Sequence, residues 1–124
     1  MKLIYVGLGG FLGAISRFAM GEWLHSDHGF PVGTLAVNLL GCLALGWFLA
    51  FAKRKAIRGE MVLLIGTGFL GAFTTFSTFS VETVNLLLAG QSFMALTYVL
   101  VSIFIGLICT FLGFKLATKG VEAG

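Results

Sequence analysis

Gly68-Phe69-Leu70-Gly71-Ala72-Phe73-Thr74-Thr75-Phe76-Ser77-Thr78-Phe79-Ser80 lies inside an apolar stretch that runs from Met61 to Leu88. These thirteen residues carry five hydroxyls, two glycines and four phenylalanines. The whole stretch is 28 residues long, whereas one crossing of a bilayer needs about 20. Water is absent at membrane depth, so hydroxyls and loosened backbone persist only where protein or a wet cavity satisfies them. A helix interrupted near Gly71–Thr75 accounts for both features, because a break lengthens the path and releases backbone carbonyls. The run therefore reads as a site within a membrane span.

The sequence around it is of the same kind. Of 124 residues, 58% are hydrophobic and 10% charged, with a single proline; soluble domains carry about 25% charged residues. The apolar supply suffices for four spans, about 3–24, 33–52, 61–88 and 93–116, joined by short polar connections. The expected architecture is all-α: one four-helix membrane domain over residues 1–124, with a break in the third helix. A cleaved leader is not expected at the start, because Leu3–Leu24 is long, carries Arg17 and lacks a small-residue cleavage pattern. No internal repeat is evident.

Several function classes are disfavoured. Cys42 and Cys109 fall inside spans and read as small packing residues, with no disulfide framework or metal motif around them. His25 and His28 share a loop and read as solvated. No Ser-His-Asp set, glycine-rich phosphate loop or pair of intramembrane carboxylates can be assembled, so an enzyme is not expected. The net charge of +3 sits in short loops and not on a basic face with interleaved aromatics, which disfavours nucleic acid as a partner. Lys2, Lys53, Arg54, Lys55, Arg58, Lys115 and Lys119 all fall on one side of a four-span chain. The opposite loops hold no Lys or Arg, so the positive-inside rule puts both termini in the cytoplasm.

Polar and small residues mark one face of each span. Gly9, Gly13, Arg17 and Gly21 recur every fourth residue, a spacing that lets helices approach closely. Arg17 is permanently charged and must face protein, a carboxylate or a wet cavity. It is either a structural or snorkelling group, or a fixed charge that concentrates anions. Thr34, Asn38 and Gly41 share a face of the second span, and the Asn38 amide can donate two hydrogen bonds. Asn38 reads equally well as interhelical glue and as a pathway contact. Tyr98, Ser102, Gly106, Cys109 and Gly113 form a stripe on the fourth span, whose two hydroxyls offer a donor track. In the third span Thr75, Thr78, Glu82 and Asn85 make a polar face, flanked by Phe76 and Phe79. Phenylalanines at this spacing commonly pack a core, yet their ring edges are electropositive and can meet an anion. Glu82 reads as an acceptor for neighbouring hydroxyls beside the pathway.

Gly33-Thr34-Leu35-Ala36-Val37-Asn38-Leu39-Leu40-Gly41, Gly68-Phe69-Leu70-Gly71 and Thr74-Thr75-Phe76-Ser77-Thr78-Phe79-Ser80 together resemble the Fluc (CrcB) fluoride channels. The Gly10…Gly13…Arg17 pattern is similar as well, and the resemblance spans about Leu3 to Leu116. It implies a passive, fluoride-selective channel in a bacterial plasma (inner) membrane that exports toxic fluoride. It implies a dual-topology dimer of two antiparallel subunits, either with itself or with an oppositely oriented paralogue. Asn38, Phe76 and Phe79 would line the fluoride pathway, and Ser77, Thr78, Tyr98 and Ser102 its polar track. Arg17 and Thr34 would belong to an aqueous vestibule. Gly71 and Thr74 would offer backbone carbonyls to a structural sodium ion at the dimer interface. A track position that is often serine in the family is Gly106 here.

The seven-to-zero charge bias bears on assembly. One sequence inserts both ways most easily when the bias is small, so this chain leans towards pairing with a paralogue. Two other readings stay open. A small multidrug-type proton-coupled antiporter is also short and four-spanning, but should carry an acidic residue in its first span. Arg17 is the deep charge there, and Glu22 lies near the end. A non-transporting membrane assembly subunit would use the same small and polar residues for packing alone.

Overall fold

The computed structural model describes residues 1–25 and 29–122, and His28 lies outside them. Helix α1 spans Lys2–Trp23 and α2 spans Val32–Arg54. The third crossing is segmented: α3 (Gly59–Val62), a π-helical stretch (Leu63–Leu70), α4 (Gly71–Phe73) and α5 (Ser77–Leu88). Helix α6 covers Ser92–Glu122. Four stretches, Lys2–Trp23, Val32–Arg54, Gly59–Leu88 and Ser92–Lys119, are each long and apolar enough to cross a membrane. Large apolar side chains such as Leu3, Phe18, Leu88 and Phe93 point outward, as lipid-facing groups do. The molecule is an all-helical, multi-pass membrane protein.

Backbone-to-backbone contact holds the helices together. Lipid tails are as apolar as leucine, so association in a bilayer depends on close van der Waals approach. Helix α1 lies directly on the π-helical stretch at Gly9 and Gly13. A Cβ on Gly9 would overlap the Leu64 carbonyl, and one on Gly13 would overlap that of Phe69. Across the bundle, Gly46 of α2 meets the Thr110 backbone and Gly113 of α6 meets that of Leu43. These contacts leave two small cores. Phe48, Ala52 and Leu70 form one, and Leu86, Ala95 and Tyr98 the other. Arg54 adds a tie between α2 and α6, donating from Nη1 to the Ala117 carbonyl at 2.7 Å.

Two helix ends share a stop device with different residues. Helix α5 ends with Gly90 N donating to Leu87 O and Gln91 N to Leu86 O, the paired bonds of a Schellman cap. Gly90 takes the left-handed φ of +77° that the cap requires. Helix α2 ends similarly, with Ile57 N donating to Ala52 O, but Ala56 holds the left-handed position at φ +50°. An alanine there bears a steric cost of about 1–2 kcal/mol that glycine avoids. Ala56→Gly is expected to raise stability by about 1 kcal/mol after the entropy cost of glycine. Thermal unfolding in detergent measures this as a higher melting temperature.

Candidate functional site

The break is where the polar run lies. Thr74 leaves the helix in an extended conformation (φ −78°, ψ 154°), and the amides around it change partners. In a continuous helix Thr75 N would bond to the Gly71 carbonyl and Thr78 N to that of Thr74. Thr75 N instead donates to Asn38 Oδ1 at 2.8 Å, and Thr78 N donates to Thr75 Oγ1 at 3.3 Å. The carbonyls of Gly71 and Thr74 are thereby released from their helical donors.

Two side chains from other helices hold the ends of the break. Arg17 Nε donates to the Ala72 carbonyl at 3.0 Å. Asn38 closes a two-bond ring with Thr75, because Nδ2 also donates to Thr75 O at 2.9 Å. An amide side chain thus replaces the missing turn of helix with a peptide-like pairing. Arg17 thus has a structural contact through Nε, while the same residue also lines a cavity beside the break. Asn38 likewise acts as interhelical glue, which leaves one amide hydrogen for other use. Thr75 then starts α5 from the other side, its hydroxyl serving as an N-terminal cap and standing 3.2 Å from Ser77 Oγ and 3.4 Å from Thr78 Oγ1.

A cleft of about 570 Å³ opens between the start of α2 and helix α5, with Thr34, Thr78, Glu82, Asn85, His25 and Phe30 on its walls. The Thr34 hydroxyl donates to Glu82 Oε1. Glu82 is therefore a hydroxyl acceptor, as its surroundings in the sequence suggest. A smaller cavity of about 200 Å³ continues inward and brings Arg17, Thr34, Thr75 and Thr78 together.

Aromatic rings and hydroxyls run beside this opening. Phe76 and Phe79 lie 5.8 Å apart, and Phe79 and Tyr98 5.0 Å apart, between ring centroids. Phe30 packs edge-on against Tyr98 at 5.6 Å. Tyr98 is fully buried at 0% exposure. Its hydroxyl and that of Ser102, one turn along α6, are buried without a hydrogen-bond partner among the described residues. Other hydroxyls in the spans do find partners: Ser80 donates to Phe76 O, Thr83 to Phe79 O and Thr110 to Gly106 O. Tyr98 and Ser102 carry the buried hydroxyls that lack a partner among the described residues.

The structure brings Arg17, Thr34, Asn38, Thr74 and Thr78 around the break, with Phe79, Tyr98 and Ser102 on the adjoining track. Phe76 is 77% exposed, and Gly71 and Ser77 also lie on the outer surface of the chain. The sequence places Thr75 on the polar face of the third span without naming its partners, and it overlooks Phe30. Thr75 links Asn38, Ser77 and Thr78, and the signal for it was its position three residues before Thr78, the spacing of a helix cap. Phe30 offered no signal, because it sits in a connection and meets Tyr98 only in three dimensions.

Comparison with known proteins identifies the family. Residues 4–114 match the family model described as "CrcB-like protein, Camphor Resistance (CrcB)". The chain belongs to the CrcB family. Among CrcB relatives, "Fluoride-specific ion channel FluC" of Oceanobacillus iheyensis is 47% identical over 117 residues, covering 94% of this chain and 91% of its own. "Fluoride-specific ion channel FluC 2" of Listeria innocua is 46% identical over 126 residues, covering 100% of this chain and 96% of its own. "Fluoride-specific ion channel FluC 1" of Bacillus cereus is 48% identical over 120 residues, covering 93% and 88% respectively.

Proposed function

We propose that this CrcB protein is a passive fluoride channel, not an enzyme, and that it lets fluoride leave the cytoplasm and so reduces fluoride toxicity. The observation that carries the reading is the pair of buried, unpartnered hydroxyls on Tyr98 and Ser102. A buried polar group left unpaired costs about 1–3 kcal/mol. Such a cost at membrane depth is maintained where a passing ion uses the donors. Fluoride is small and tightly hydrated, so it needs donors that replace water closely. Hydroxyls and the ring edges of Phe76 and Phe79 supply them without a cationic trap, and weak binding at several sites is what conduction requires. The names of the relatives support fluoride as the ion.

The working unit in this reading is an antiparallel dimer, formed with a second copy or with an oppositely oriented paralogue. The outward position of Gly71, Phe76 and Ser77 supports a partner at this face. The released carbonyls of Gly71 and Thr74 fit a sodium ion, a hard cation that takes neutral oxygen ligands. A sodium ion bound there would supply fixed positive charge to carbonyls that have lost their helical donors. The charge bias along the chain supports cytoplasmic termini; a subunit of opposite orientation completes the dimer.

The test separates passage from packing. Ser102→Ala removes a hydroxyl with no hydrogen-bond partner among the described residues, so it should melt at or above the wild-type temperature; Tyr98→Phe removes one that lies near Thr34 and Glu82 and should melt close to it. Their fluoride efflux from liposomes should nevertheless fall at least about ten-fold, the equivalent of about 1.4 kcal/mol in the barrier. Lower stability with unchanged efflux would assign these hydroxyls to structure and remove the support for a conducting track.

A further inference from the structure

A second concave surface lies away from the break, at the lysine-bearing end of the bundle. Lys115 and Lys119 stand one turn apart on α6 and line a pocket of about 520 Å³ together with Leu43, Leu112 and Leu116. Leu43 and Leu116 also line an adjoining groove of about 480 Å³, which continues past Leu40, Trp47, Phe69 and Phe73. That groove presents almost no polar surface. The two spaces therefore form one amphipathic channel on the outside of the chain, cationic at one end and apolar along its length.

We propose that this surface seats an anionic phospholipid, with its phosphate at Lys115 and Lys119 and an acyl chain along the groove. The argument rests on membrane residency and on charge, independently of which ion crosses at the break. Neither lysine meets a carboxylate among the described side chains. The Lys115 ammonium sits 5.2 Å from the centre of the Phe111 ring, an aromatic contact and not a neutralising one. Unpaired ammonium groups beside a membrane-embedded apolar groove complement an anionic headgroup, and each contributes separately to that attraction. A free phosphate ion would use the lysines but leave the groove empty; a zwitterionic lipid would fill the groove without gaining from the two cations. The groove also reaches Phe69 and Phe73, so a bound chain would brace the helix segments just before the break.

Native mass spectrometry of the purified protein, with added phosphatidylglycerol or phosphatidylcholine, tests the proposal. Wild type is expected to retain phosphatidylglycerol in preference to phosphatidylcholine, and excess inorganic phosphate should not displace it. The Lys115→Gln/Lys119→Gln double variant should weaken that retention about ten-fold or more. Leu116→Trp, which fills the groove and keeps both charges, should weaken retention of either lipid. The lysines are exposed, so the double variant is expected to keep the wild-type melting temperature. Equal retention of the two lipids, or no change in the double variant, would overturn the proposal. A shift in the monomer–dimer balance without any lipid adduct would also overturn it, by assigning the groove to a second protein chain.

Discussion

Asn38→Ala is expected to abolish fluoride efflux and to lower the melting temperature more than any other single side-chain truncation at the break. The variant removes both bonds to Thr75, at 2.9 and 2.8 Å. Interhelical side-chain hydrogen bonds in membranes are typically worth about 0.6–1.7 kcal/mol. The loss here should exceed that range, because two backbone groups at the break lose their partner at once. Two orphaned groups at about 1–3 kcal/mol each give roughly 2–6 kcal/mol. Asn38→Asp separates the structural role from permeation. Its carboxylate can still accept from Thr75 N, yet it donates nothing and places a negative charge beside the pathway. It should therefore melt closer to wild type while conducting no better than Asn38→Ala. An Asn38→Ala protein with wild-type melting and wild-type efflux would show that the break does not depend on this clamp.

The other large effect is expected at the contact between α1 and the π-helical stretch. Gly9→Ala and Gly13→Ala each drive a methyl group into carbonyl groups of the facing backbone, those of Leu64 and Phe69. Overpacking against flexible side chains costs about 1–3 kcal/mol. Backbone cannot step aside so cheaply, so each variant should reach or exceed the top of that range. The double variant should fail to give a monodisperse peak in size-exclusion chromatography. Gly7→Ala is the matched control, because nothing lies within 4 Å of its added methyl. It has the same change in helix propensity and should behave as wild type. If Gly7→Ala and Gly13→Ala were equally tolerated, the close approach of α1 would not be what holds this half of the bundle.

Much of this architecture is legible in the sequence for simple physical reasons. Span length and apolar content mark four crossings, and the cluster of hydroxyls and glycines in the 28-residue third stretch marks where that crossing breaks. The glycine stripe Gly9–Gly13 correctly announces close packing, because its spacing is set by the helical repeat alone. What stays hidden is which groups meet. Arg17 finds its acceptor at Ala72, and Asn38 finds Thr75, 55 and 37 residues away. Nothing in either local pattern names these partners. The π-helical stretch was also hidden, since Leu63–Leu70 has the composition of any apolar helix and i→i+5 bonding leaves no separate mark. Phe76 and Ser77 read as pathway residues in the sequence, yet one chain leaves them on its surface.

The central claim is that the polar run in the third span serves the passage of fluoride. Purified protein should be reconstituted into liposomes loaded with potassium fluoride and potassium chloride, with a potassium ionophore to collapse the membrane potential. Both anions are then followed in the same sample. The account predicts rapid fluoride release with chloride retained, and loss of that release in Ser102→Ala. Release of both anions at similar rates, or no release from folded dimers, including those formed with an oppositely oriented paralogue, would contradict it.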